Sequence, residues 1–202
     1  MSASPPPAAA DDSAAAQDAF VARLARPAPA TTSYTEVRFV HLLRRPLVLH
    51  GELEYGGAER LGKNVQTPYR ESTAIADGAV TVTREGRAPR KFGLERAPEL
   101  QALLASFSAL LGGDALTLHK YYAVKLVENA AKWTLTLTPK DAGLARHLRD
   151  IEVDGAGNEP QCFALHEANG DASVMLLGGL AGAKLADPPT PAALDALCRA
   201  AP

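Results

Sequence analysis

One stretch stands apart from an otherwise strand-like pattern of apolar and polar positions. From Ala97 to Leu111, APELQALLASFSALL, six large apolar residues (Leu100, Leu103, Leu104, Phe107, Leu110 and Leu111) recur at helical spacing. Pro98 suits the first helical position, and Gly112 and Gly113 suit a left-handed C-terminal cap. Only Glu99 and Gln101 are strongly polar. Burying the six side chains is worth roughly 9–18 kcal/mol as an upper bound, so the helix needs a cover.

On both sides of it the period changes to two. Thr35–Leu43 predicts a first strand and Pro46–Tyr55 a second, with Leu47, Leu49, Leu53 and Tyr55 on one face and His50, Glu52 and Glu54 on the other. Weaker strands are predicted over Arg60–Gln66 and Tyr69–Ile75. Asp77-Gly78 is a hairpin signal feeding Ala79–Arg84, and Lys91–Glu95 can pair back. After the helix, Leu116–Val127 and Lys132–Thr138 predict a hairpin. In its second arm Trp133, Leu135 and Leu137 alternate with Thr134, Thr136 and Thr138. Ala142–Arg149 suggests a helical turn. Gln161–Glu167 and Ala172–Leu177 flank an Asn-Gly-Asp turn at 169–171. Two further helices are expected: Ser13–Arg26, with Phe20, Val21 and Leu24 as its apolar stripe, and Ala192–Arg199, capped by Thr190-Pro191. Strands at hairpin spacing without intervening helices imply an α+β fold with a curved, mostly antiparallel sheet over one apolar helix.

Composition narrows the function classes. In 202 residues there are 21 Lys plus Arg against 23 Asp plus Glu, a net charge of -2, which gives no electrostatic footprint for nucleic acid. Apolar runs are too short to span a bilayer as helices. Met1–Asp12 (MSASPPPAAADD) lacks the apolar core of a signal peptide and reads as a disordered tail, leaving 13–202 as one domain. Hydrolase, nucleotide-binding and metalloprotease motifs are missing, and the five histidines lack partners at ligand spacing, so neither an enzyme nor a cofactor or metal is indicated. Cys162 and Cys198 fit either a disulfide or two buried thiols.

The ordered set of elements resembles the outer-membrane lipoprotein carrier (LolA) family over about Phe20 to Leu177. An amphipathic helix leads into a strand. Gly51, Leu53 and Tyr55 then form a G-x-L-x-Y strand, with Pro68 following. The Asp77-Gly78 hairpin feeds Val80 and Val82. The central helix ends in Gly113-Asp114, a strand runs into Leu137-Thr138-Pro139, and the last two strands surround Asn169–Asp171. The match is closest to LolA-like proteins that accompany lipid or pigment exporters. One departure is Thr67, where the housekeeping carrier has an arginine before the proline; it bears on lipoprotein-specific gating, not on carriage of apolar ligands.

The resemblance implies an incomplete antiparallel barrel closed by helices, located in the periplasm, its leader removed. It implies a monomeric carrier that takes the acyl chains of a lipid or lipoprotein from an inner-membrane exporter to an outer-membrane acceptor. A lipid-sensing regulatory domain that reports to a membrane signalling partner is the alternative. It also favours the Cys162–Cys198 disulfide, since the periplasm is oxidising. The expected cavity lies between Leu100, Leu103, Leu104 and Phe107 of the helix and the inward strand positions Leu49, Leu53, Val80, Val82, Trp133 and Leu135.

Overall fold

The computed structural model describes residues 9–57, 60–129 and 131–200, with side chains from Ala14 onward except at 98–100, 102 and 103. Helix α1 (Ala9–Arg23) precedes six strands: β1 (Ala30–Phe39), β2 (Leu47–Tyr55), β3 (Leu61–Thr67), β4 (Glu71–Ala76), β5 (Ala79–Arg84) and β6 (Arg90–Gly93). Helices α2 (Pro98–Gly112) and α3 (Ala115–Tyr121) follow, then β7 (Tyr122–Asn129), β8 (Lys132–Pro139), α4 (Ala142–Ala145), β9 (Leu148–Ala156), β10 (Glu159–Glu167), β11 (Ala172–Leu177) and α5 (Pro191–Arg199). All strands join one antiparallel sheet in the order β6-β5-β4-β3-β2-β1-β11-β10-β9-β8-β7. The first hairpin series and the last are stitched together by β1 against β11, with Tyr34 opposite Leu177. Strands β6 and β7 remain as edges, so the sheet curls without closing.

The central helix occupies nearly the expected span. Gly113 ends it at φ 69°, a left-handed conformation that L side chains avoid, and its N–H returns to the carbonyls of Ala109 and Leu110. Its described C-terminal half is buried almost all round: Leu104, Ser106, Phe107, Ser108, Ala109 and Leu110 are all buried. The concave sheet face covers one side, and α1 and α3 pack on another. Phe20 and Val21 of α1, and Leu24 just beyond it, join the same core as Leu49, Leu53, Trp133, Leu135, Leu137 and Phe163.

Three expectations need correction. The predicted strand Leu116–Val127 is helix α3 as far as Tyr121, because Asp114 caps it. The Asp114 carboxylate accepts from the Thr117 N–H and hydroxyl, and these bonds hold its pKa below the ordinary value. The predicted first strand overruns by four residues: β1 ends at Phe39, and His41–Leu43 belong to an exposed hairpin tip. The tail expected to be disordered through Asp12 loses its last four residues to helix α1, which starts at Ala9; residues 1–8 lie outside the described residues.

The convex face carries its own smaller core. Val37, Ala164, Val174 and Leu176 pack with Leu194 of α5, and a disulfide joins Cys162 of β10 to Cys198 of α5. Arg199 of α5 pairs with Glu152 and Asp154 of β9 across the same face. The bridge closes a loop over a sequence separation of 36 residues, for which chain entropy gives roughly 3–4 kcal/mol of stabilisation. Cys198→Ser is therefore expected to lower unfolding stability by about that amount, read as the urea midpoint under oxidising conditions. Wild-type protein under reductant should match the variant.

Candidate ligand-binding cavity

The middle of the concave face is stoppered by an aromatic pair. Phe107 of α2 stacks on Phe163 of β10, with ring centroids 4.0 Å apart and planes at 18°. Two cavities lie on either side of this pair, and Leu53, Leu61, Phe107 and Phe163 line both. The first, about 450 Å³, is walled by Tyr55, Leu110, Leu111, Val153 and Leu177, with Arg26 and Glu159 among its lining residues. Those two are ion-paired at 3.3 Å. The second, about 330 Å³, is walled by Val65, Ile75, Val82, Leu165 and Met175. Each falls within the size range of small-molecule sites, about 300–1,000 Å³.

The second cavity also holds charge. Glu36 and Arg38 stand two residues apart on one face of β1, and Lys63 reaches them from β3 across β2. Arg38 donates to the Glu36 carboxylate from Nε at 3.0 Å and from a terminal nitrogen at 3.3 Å, and Lys63 Nζ donates at 2.5 Å. Gly51 of β2 permits this crossing: a Cβ there would stand 1.8 Å from the Asn64 carbonyl oxygen and 3.1 Å from the Tyr34 ring. Lys63 Nζ in turn sits 5.3 Å from the centroid of that ring. The Glu36 side chain is 4 % exposed. Burial pushes its carboxyl pKa up, but the two cations and their hydrogen bonds outweigh burial and hold it below the ordinary glutamate value. Burial and the like charge of Arg38 pull Lys63 below the usual lysine value despite the Glu36 contact.

The residues singled out from the sequence separate into groups. Leu53, Val82 and Phe107 line cavity space. Leu49, Val80, Leu135 and Trp133 lie on the same face but are covered. Trp133 is sealed by Phe20 of α1 in an edge-on contact at 4.9 Å, and its Nε1–H donates to the Gly157 carbonyl. Leu104 packs with Leu61, Ile75, Val80 and Leu94 toward the β5 side. The side chains of Leu100 and Leu103 lie outside the described residues. Sequence reasoning missed Phe163, Leu61 and the Glu36–Arg38–Lys63 trio. Alternation along Glu36, Arg38 and Tyr34 carries a signal for the trio, since charged residues share a face with a buried tyrosine.

The site is thus a curved antiparallel half-barrel with a helix lodged in its hollow and cavity space beside that helix. Among the described residues, no cluster of His, Cys, Asp or Glu could hold a metal ion. The profile of the LolA-like outer membrane lipoprotein carrier proteins matches residues 8–201, and the chain belongs to that family. No curated protein matches it. Among solved structures, a LolA superfamily protein of Nitrosomonas europaea is similar at 10% identity and TM-score 0.42, over 87% of this chain and 96% of its own. The MucA/MucB complex of Pseudomonas aeruginosa is similar at 16% identity and TM-score 0.41, over 83% of this chain and 58% of that one. LprF of Mycobacterium bovis is similar at 9% identity and TM-score 0.38, over 90% and 98%.

Removing Glu36 leaves a mostly buried lysine and a half-exposed arginine facing each other. Breaking a fully buried pair costs about 3–5 kcal/mol; Arg38 is 39 % exposed and keeps part of its hydration, so Glu36→Gln is expected to cost about 2 kcal/mol at neutral pH. Because the folded-state pKa is depressed, the carboxylate's contribution is present above the ordinary glutamate pKa. It is lost as pH falls through the folded-state value. Wild type and variant should thus differ in urea unfolding at pH 7 and converge in acid.

Proposed function

We propose that this protein is a periplasmic carrier that holds the acyl chains of a lipid, a lipoprotein or a lipid-like product in the cleft beneath α2. The observation that carries the reading is the pair of adjoining cavities parted only by the Phe107–Phe163 stack and the Leu53 and Leu61 side chains. Separating the aromatic pair forgoes roughly 0.5–1.5 kcal/mol beyond its area burial. A sixteen-carbon chain entering the cleft gains on the order of 12 kcal/mol gross, at about 0.8 kcal/mol per methylene. The guest can therefore part the rings and run through both cavities.

Binding and release of this kind need comparable energies in donor, carrier and acceptor, so direction comes from the partners rather than from a trap. An inner-membrane exporter as donor and an outer-membrane acceptor fit that role. The Cys162–Cys198 disulfide suits the oxidising compartment between them. The work is capture and hand-over, with no bond made or broken.

Phe163→Glu places a carboxylate at the wall common to both cavities. It is expected to weaken binding of a fluorescent fatty acyl probe at least tenfold, about 1.4 kcal/mol, while the circular dichroism spectrum stays that of wild type. Leu104→Ala, on the packed side of α2, should change probe affinity far less. Unaltered probe binding in a folded Phe163→Glu protein would overturn the cavity assignment, and no binding of any amphiphile to wild type would overturn the carrier reading.

A further inference from the structure

The β1–β2 hairpin tip holds two leucines in water by construction. His41 to Arg45 are all exposed, with Leu42 at 81% and Leu43 at 47%. The tip is pinned on both flanks. The His41 N–H donates to Asp171 Oδ1 at 2.9 Å, and its ring Nδ1 lies 2.7 Å from the same oxygen. A terminal nitrogen of Arg45 donates to Asp187 at 2.5 Å, and the Leu43 N–H closes a turn onto the Val40 carbonyl. Two adjacent leucines beside Arg44 and Arg45 have the composition of a segment that lies in a lipid interface.

The sheet topology surrounds this tip with more positive charge. Antiparallel pairing brings segments 40–46, 68–70, 85–89, 140–147 and 168–171 to the same end of the sheet. Together they carry six basic residues (Arg44, Arg45, Arg70, Arg87, Lys140 and Arg146) against three acidic ones (Glu85, Asp141 and Asp171), and Asp187, which pairs with Arg45, brings a fourth acid to the tip. Asp171 is committed to His41, and Asp141 caps α4 through the Leu144 N–H. This end is net positive on a chain whose total charge is -2. The second cavity reaches the same end: Val40, Glu167, Asp171 and Ala172 are among its lining residues.

We propose that this end of the half-barrel docks on an anionic lipid surface, with Leu42 and Leu43 inserted among the headgroups and the basic side chains ringed around them. Docked this way, the protein holds the second cavity against the bilayer. The proposal goes beyond acyl-chain carriage, and it is tested with vesicles that offer no cargo assay, so either reading can fail alone.

The test is sedimentation of the full chain with extruded vesicles of phosphatidylglycerol and phosphatidylcholine, compared with phosphatidylcholine alone. Wild type should partition to the anionic vesicles and release as salt rises, each basic side chain near the surface contributing about fivefold. Leu42→Ser/Leu43→Ser should lower the partition coefficient at least tenfold. Arg44→Gln/Arg45→Gln should bring it toward the value for neutral vesicles. Val127→Ser, which removes an exposed apolar residue at the opposite end of the sheet, should change nothing. Because the tip is exposed, all four proteins should share one circular dichroism spectrum. As a second readout, Leu42→Trp should shift its emission to the blue on adding anionic vesicles. Equal partition of the tip variants and wild type, an equal effect of Val127→Ser, or no sedimentation of wild type with anionic vesicles would overturn the proposal.

Discussion

The seat of α2 in the hollow of the sheet is the contact on which the rest of this structure depends. A sheet with one apolar face must bury it, and an open eleven-stranded antiparallel sheet can do so only by curling around something. Here that object is a helix apolar enough to be covered on nearly every side. The stack of Phe107 on Phe163 fixes its position over β10, and Leu104 fixes it over β5. Helices α1 and α3 then cap the remaining exposed side, and Ser106 forms a hydrogen bond with Tyr122 where α3 gives way to β7.

A single helix is too narrow to fill so wide a hollow, and cavity space remains on both sides of the aromatic pair. The two spaces differ in character. One sets Leu, Tyr and Phe side chains beside a solvent-accessible ion pair, Arg26 with Glu159. The other contains a carboxylate held by two cations, which is tolerable because each oxygen has a donor. Packing this trio into a curved face depends on Gly51, where any larger residue would collide with the next strand. The cleft is therefore a feature of the fold and not an accident of a missing side chain.

The convex face shows how the rest of the chain is kept from competing for the hollow. The C-terminal helix α5 is tied outside by the Cys162–Cys198 bridge, by Leu194 in the smaller core and by Arg199 on Glu152 and Asp154. With both faces of β10 committed at adjacent residues, Cys162 outward and Phe163 inward, that strand carries the disulfide on one face and the stopper of the cleft on the other.

Period and punctuation in the sequence were enough to place most of the strands and the extent of α2, though not β9, whose first residues read as part of a helical turn. Leu49, Leu53, Val82 and Trp133 do share a face, because a strand has only two faces and one of them must be dry. Local pattern failed where a side chain outvoted it. Asp114 turned an alternating stretch into α3, and the apolar run through Leu43 continued past the last ladder bond of β1. Which inward residues would meet helix and which would meet empty space was decided only in three dimensions. Trp133 is covered because α1 lies on it, Phe163 is a stopper because α2 stops over it, and Lys63 meets Glu36 across an intervening strand. Those outcomes depend on how the helices settle in the hollow, a long-range geometry that no short window of residues encodes.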